Sequence, residues 1–350
     1  MTERRVPGVV LMIALIVAVA LAAICTGLVR RFALSRSFLD IPNHRSSHSA
    51  PTPRGGGLAI AIVLELLLAG GAVEGWLSLR LFAALAGGTL AVAWVGWRDD
   101  RRNVPPLRRA LVHFVAAIWA TACLGGLTTL RLGSTMVSLG MFGSALAVLG
   151  IVWLINLYNF MDGIDGLAGS NATLVGLFGA WITMGSDRSL TFASIAVAGC
   201  SFGFLLWNWP PARIFLGDVG SGLLGYYFAV LALASEARGS APLSLWLVLM
   251  SVFVVDATIT LARRALKGER WYEAHRSHAY QRIVQAGYSH RVVTSVVVAT
   301  DVVLGLAAVA TMARPLLQPL LLLAAISGVL LLYVVVERII PMDAIAPGSP

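Results

Sequence analysis

The chain has 350 residues, 58% of them hydrophobic and only 12% charged, with a formal net charge of +9. Soluble domains carry about 25% charged residues, so this composition excludes an ordinary soluble globular protein. The basic residues sit in short stretches between apolar blocks and form no continuous patch, which excludes nucleic acid as a partner.

The apolar residues gather into blocks of roughly 17–23 residues, the length that crosses a hydrocarbon core of about 30 Å. Predicted spans run 8–29, 57–73, 79–97, 110–125, 138–155, 170–184, 190–207, 220–236, 243–262, 292–312 and 316–337. Blocks such as 320–336 are apolar nearly all round, as helices solvated by lipid or by one another must be. The expected fold class is therefore all-α, a polytopic membrane protein with about 10–11 transmembrane helices. The first block is too long for a signal-peptide core and no small-residue cleavage site follows it, so it reads as an uncleaved span. Residues 1–340 read as a single integral-membrane domain and 341–350 as a disordered tail. Cys25, Cys123 and Cys200 lie in apolar blocks at irregular spacing and read as small buried hydrophobes.

Most of the 26 Lys and Arg residues fall in the stretches 30–56, 98–109, 156–169, 208–219 and 263–291 and the C-terminal tail. By the positive-inside rule these stretches are cytoplasmic, with the N-terminus outside. The same stretches carry nearly all the chemistry. Residues 40–57 hold three prolines, Arg45, Arg54 and the run Gly55-Gly56-Gly57, a defined loop that either anchors the spans or contacts phosphate. Glu65, inside the second span, has no motif around it and reads as structural. Asp99 and Asp100 follow the third span; adjacent carboxylates repel unless a cation lies between them, although a charged helix end is the plain alternative. Asn156, Asn159, Asp162 and Asp165 recur every third residue, which on a helix gives neighbouring members a shared face, and Gly163 and Gly166 allow close backbone approach. Asp218, in Phe215-Leu216-Gly217-Asp218-Val219-Gly220-Ser221, reads as the cap of the eighth span, as a metal ligand, or as both. Asp256 lies within the ninth span, a costly position that points to function or to an interhelical hydrogen bond. His275, Arg276, His278 and neighbouring aromatics suit a nucleotide, by stacking and by charge, better than they suit zinc.

Carboxylates on one face, beside helix N-termini that bind anions, suit a hard divalent ion, Mg²⁺ or Mn²⁺, bridging phosphates. Phosphoryl transfer with a nucleoside diphosphate is the chemistry this predicts.

These motifs, in this order, resemble the polyprenyl-phosphate N-acetylhexosamine-1-phosphate transferases. That family includes the WecA- and WbpL-like enzymes that start O-antigen and the peptidoglycan translocase MraY. The resemblance rests on Asp99-Asp100, the stretch 156–167, Phe215 through Ser221, and His275 through Arg282; Pro42 through Gly57 looks most like the O-antigen branch. His275-Arg276-Ser277-His278 departs from the His-His-x-His of the peptidoglycan enzymes.

The resemblance implies transfer of an N-acetylated sugar-1-phosphate from a UDP-sugar to undecaprenyl phosphate, with release of UMP, in the bacterial inner membrane. It implies that Asp99 and Asp100 serve the lipid phosphate, that Asp218 holds Mg²⁺, and that Asp162 and Asp165 serve metal or nucleotide. Asn156, Asn159, His275, Arg276 and His278 would hold the donor; Arg45 and Arg54 stay candidate phosphate contacts from their loop alone. Arg108 and Arg109 would stand near the lipid phosphate. A homodimer is compatible with this reading, and the sugar stays open among N-acetylated hexoses. The rival from another class is a lipid or solute transporter, which would account for the spans and for Asp256; transporter sites lie near the midplane in repeats, and no repeat is visible here.

Overall fold

A bilayer core offers no water to backbone N–H and C=O groups, so apolar blocks of this length satisfy them internally as helices. In a computed structural model, which describes residues 6–42, 51–269 and 275–342, they do so. The expectations for Arg45 and for the tail from 343 onward lie outside the described residues. The helices are α1 (Gly8–Ser35), α2 (Gly57–Val73), α3 (Leu79–Phe82), α4 (Gly88–Arg102), α5 (Pro106–Leu124), α6 (Gly140–Met161) and α7 (Leu167–Thr183). They continue as α8 (Arg188–Asn208), α9 (Gly217–Ala237), α10 (Leu243–Leu249), α11 (Ser251–Leu266), α12 (Ala279–Gln285), α13 (His290–Ala310) and α14 (Gln318–Ile339).

Among the described residues, 8 helical segments are long and apolar enough to cross a membrane, and α10–α11 makes a ninth if the pair counts as one span. The chain is a multi-span membrane protein. The two softest expected spans, α2 and α7, are 17 residues each, short of the usual length. The expected ninth span is broken: α10 and α11 meet at 78°. At the break the Ser251 hydroxyl donates to the Val248 carbonyl at 2.8 Å, a side-chain bond that competes with the helical ladder. A further irregularity is the π-helical turn Ala83–Gly87 between α3 and α4. Its carbonyls are satisfied from neighbouring helices, Ala83 by the Trp119 indole at 2.8 Å and Ala84 by the Tyr226 hydroxyl at 2.6 Å.

Among the described residues there are also two short antiparallel strand pairs that hydropathy does not signal. Thr129–Leu132 (β3) pairs antiparallel with Thr135–Ser138 (β4), while Leu39–Asp40 (β1) pairs with Thr52–Pro53 (β2).

The helix α9 is the axis of the fold, buried along nearly its whole length and packed by α2, α4 and α6. The outer helices present their apolar side chains outward, Ile16 and Ile24 on α1 and Leu320 and Leu331 on α14 among them. Such a surface is stable only in lipid or against another apolar surface. One close approach decides where the site lies. Gly96 of α4 rests on the start of α9, where a Cβ would stand 2.5 Å from the Asp218 backbone oxygen. With no side chain at Gly96, α4 and α9 touch at their polar ends, and Asp99, one turn further along α4, comes beside Asp218.

Candidate active site

Each polar end contributes one group to a shared cavity of about 830 Å³. The last turn of α4 supplies Asp99, the first turn of α9 supplies Asp218, and the C-cap of α6 supplies Asp162. The carboxylates of Asp99 and Asp218 face one another at hydrogen-bonding range. Two arginines offset this concentration of negative charge. Arg109, on the first turn of α5, pairs with Asp99 and stands 3.4 Å from Asp218. Arg54, just after β2, lies 3.0 Å from Asp100 and 3.7 Å from Asp218. Burial works against the charge of Arg54, but Asp100 and Asp218 outweigh it and raise its pKa above the ordinary value.

The stretch 156–165 divides at the end of a helix. Asn156 and Asn159 lie on the last turns of α6 and line the cavity; Asn159 donates to Asp218 at 3.1 Å and to the Ser221 hydroxyl at 3.2 Å. The helix stops at Met161, so the three-residue period no longer aligns the residues beyond that point. Asp162 still lines the cavity, where burial raises its carboxyl pKa well above the ordinary value, Arg54 opposing and Asp218 and Asp100 adding to the rise. Asp165 is turned away. Its carboxylate accepts from the Ala212 backbone N–H at 2.9 Å and stands 3.3 Å from His290 Nδ1, bracing the start of α13.

Asp100 also differs from the sequence expectation. Its side chain is fully buried and accepts from the N–H groups of Asp218 at 3.0 Å and Val219 at 3.2 Å. Asp100 therefore caps α9, the role expected of Asp218, and this leaves the Asp218 carboxylate free to face the cavity.

The opposite wall is aromatic. His275 and His278 stack at 4.8 Å between ring centroids, and Phe160 lies 5.8 Å from His275 and 5.9 Å from His278. Burial, with His278 and Arg264 nearby, lowers the pKa of His275 to about 3, so its ring is neutral. Arg276 and Arg108 do not line the cavity; Arg108 is exposed, and the Arg276 carbonyl accepts from Gln285 at 2.8 Å.

Among the described residues no three His, Cys, Asp or Glu side chains converge as a closed metal cage. A hard divalent ion does not need one, because magnesium is commonly held by one or two carboxylates together with substrate phosphates. The all-oxygen set of Asp162 and Asp218 fits that pattern, since Asp162 makes no side-chain hydrogen bond among the described residues and both acids open on the same space.

Comparison with known proteins agrees with this arrangement. Residues 82–236, which carry Asp99, Asn159, Asp162 and Asp218, match the model of glycosyl transferase family 4. A Bacillus subtilis (strain 168) protein named "Probable undecaprenyl-phosphate N-acetylglucosaminyl 1-phosphate transferase" is 27% identical over 297 residues, 83% of this chain and 81% of its own. An undecaprenyl-phosphate alpha-N-acetylglucosaminyl 1-phosphate transferase of Yersinia pestis is 26% identical, covering 75% of this chain and 73% of its own. A phospho-N-acetylmuramoyl-pentapeptide-transferase of Synechococcus elongatus (strain ATCC 33912 / PCC 7942 / FACHB-805) is 31% identical over a shorter 231 residues, 59% of each chain. Over residues 82–236 the chain is similar to glycosyl transferase family 4. It is an enzyme of the phosphotransferase class.

The cavity is also lined by residues that sequence reasoning passed over. Phe160 sits inside the Asn156–Asp165 motif but was hidden by its apolar neighbours. His113 lies one helical turn after Arg109 on α5, so the i, i+4 spacing was the available signal. Gln281 follows His278 by three residues, at the start of α12.

Proposed function

We propose that the chain transfers an N-acetylated hexosamine 1-phosphate from a UDP-sugar to undecaprenyl phosphate, releasing UMP. The observation that carries this reading is the convergence of Asp99, Asp162 and Asp218 with Arg54 and Arg109 in one cavity at the polar ends of membrane helices. The names of the relatives support the same reaction.

The steps follow from charge and position. The lipid acceptor keeps its tail in the bilayer and brings its phosphate to the helix ends. Arg109 meets that phosphate, and Asp99 beside it holds the guanidinium in place. Arg54 and the polar side chains of Asn156 and Asn159 hold the donor's diphosphate and sugar, while Phe160, His275 and His278 offer a stacking surface to the base. A phosphate oxygen of the lipid attacks the sugar-bearing phosphorus. The new P–O bond forms as the bond to the bridging oxygen breaks, and UMP leaves with that oxygen and its electron pair. Asp162 and Asp218 would hold Mg²⁺, which supplies neutralisation of the diphosphate charge. Positive charge near the helix ends supports a cytoplasmic site in a bacterial inner membrane, and the product would start O-antigen or a related envelope polysaccharide.

Purified protein given a panel of UDP-sugars, undecaprenyl phosphate and Mg²⁺ tests this directly. UMP release that needs all three components is the expected result. Movement of lipid or solute without UMP release would overturn the reading in favour of a transporter.

A further inference from the structure

Asp256 is a buried acid that the transfer chemistry leaves unused. It sits within α11, 6% exposed, in a part of the chain where an acid is costly. Its carboxylate is surrounded by donors. Oδ1 accepts from the Thr260 hydroxyl at 3.1 Å and from the Ala279 N–H at 3.0 Å; Oδ2 accepts from the Tyr280 N–H at 3.3 Å. These bonds join α11 to the first turn of α12 and satisfy N–H groups that a helix start leaves free.

A fourth neighbour is not explained by capping. His278 precedes α12, is 1% exposed and lines the catalytic cavity. Among the described residues neither of its ring nitrogens makes a hydrogen bond. Its Nδ1 stands 3.5 Å from Asp256 Oδ1. A carboxylate oxygen accepts hydrogen bonds, so the ring edge that faces it at 3.5 Å is the one placed to donate. This fixes the tautomer and leaves Nε2 for whatever enters the cavity. A buried imidazole nitrogen with no partner is costly unless a ligand supplies one. The stacks against His275 and Tyr280 and the tilted contact with Phe160 stop the ring from turning its unpaired nitrogen elsewhere.

We infer that Asp256 is a positioning residue for the transfer reaction: it orients His278 through Nδ1 so that Nε2 meets the donor substrate. This rests on the transferase reading above. It goes beyond the interhelical bond, because the capping bonds need only an oxygen acceptor whereas orienting the ring needs the carboxylate charge.

That difference defines the experiment. In Asp256→Asn the side-chain oxygen takes the place of Oδ1 and still accepts from the Ala279 N–H, while the bond from the Tyr280 N–H to Oδ2 and the charge facing His278 are lost. Turnover is measured for wild type, Asp256→Asn, His278→Ala and the double variant, with thermal unfolding recorded for each. The expected result is a roughly 10- to 100-fold fall in kcat for Asp256→Asn, with an unfolding midpoint lowered no further than the loss of one capping bond accounts for, and a double variant no slower than His278→Ala alone. Additive losses, or wild-type turnover in Asp256→Asn, would overturn the inference. If Asp256→Asn fails to fold, Asp256→Ser, which also keeps a capping oxygen, goes through the same cycle and is read by the same outcomes. A wild-type enzyme that releases no UMP removes the transferase reading itself; one that turns over but shows an additive cycle removes only the role of Asp256.

Discussion

The carboxylate of Asp100 accepts a hydrogen bond from the backbone N–H of Asp218 at 3.0 Å, so one acid of the site is held in place by another. The neighbouring pair Asp99-Asp100 therefore divides its work. Asp99 faces the cavity, and Asp100 lies behind it, closing the start of α9 and pairing with Arg54. Replacing Asp100 by Ala removes a helix cap, a loss of about 0.5–2 kcal/mol, and leaves Arg54 without its nearer partner. The expected outcome is a lowered unfolding midpoint in detergent together with reduced turnover. Asp100→Asn, which keeps an acceptor oxygen, should recover much of the midpoint and little of the turnover.

Asp162 and Asp165 give the complementary contrast. Both are aspartates beside glycine, three residues apart, yet only Asp162 opens on the cavity. Asp162→Asn and Asp218→Asn should each lower kcat by about 10²- to 10³-fold while the unfolding midpoint changes little, because charge aimed at a reacting phosphate is lost. Asp165→Ala should do the reverse, lowering the midpoint and sparing most of the activity, since the bonds it loses brace Ala212 and His290. UMP release and thermal unfolding measured on the same preparations separate the two patterns.

That contrast also marks how much of the site the amino-acid sequence discloses. Helix length is readable because bilayer thickness sets it, and the apolar blocks accordingly reappear as helices at nearly the expected places. The acids are readable as a group, because carboxylates are rare in such a chain and these stand at helix ends. Their individual roles are not readable, because each depends on one backbone event remote from the motif. The end of α6 at Met161 turns Asp165 away from Asp162. Contact between Gly96 and the backbone of Asp218 decides that Asp100, not Asp218, caps α9. The break at Met250 escapes detection for a similar reason: it involves a serine hydroxyl and no proline or glycine.

Arg54 and Arg109 supply the positive charge of the cavity, and their geometry is specific. Arg54 reaches Asp100 through Nε and Asp218 through a terminal nitrogen, a span that the single ammonium of lysine does not cover. Arg54→Lys and Arg109→Lys keep the charge and lose the fork. Each should raise KM, Arg54→Lys for the UDP-sugar and Arg109→Lys for the polyprenyl phosphate, by about tenfold, or 1.4 kcal/mol. Initial rates with one substrate varied at saturating levels of the other assign each arginine to its ligand; equal effects on both KM values would show that the two do not divide the phosphates between them.

The neutral ring of His275 carries a prediction for pH. Its pKa in the folded chain is lowered to about 3 by burial, with the charges of its neighbours adding to the effect, against about 6.5 for an exposed imidazole. Below pH 6.5 the unfolded chain therefore binds a proton at this position that the folded chain does not. Stability rises with pH wherever the unfolded state holds more protons, so the contribution from His275 is fully present above about pH 6.5 and declines steadily as the pH falls toward 3. His275→Asn, which has no titrating group there, should lose less stability than wild type over that window, although it starts from a lower value at pH 7 because the stack with His278 is weakened. Unfolding midpoints of the two proteins, measured from pH 7.5 to 4.5, should converge as the solution is acidified. Parallel curves would mean that the ring is open to solvent and protonates in the folded enzyme.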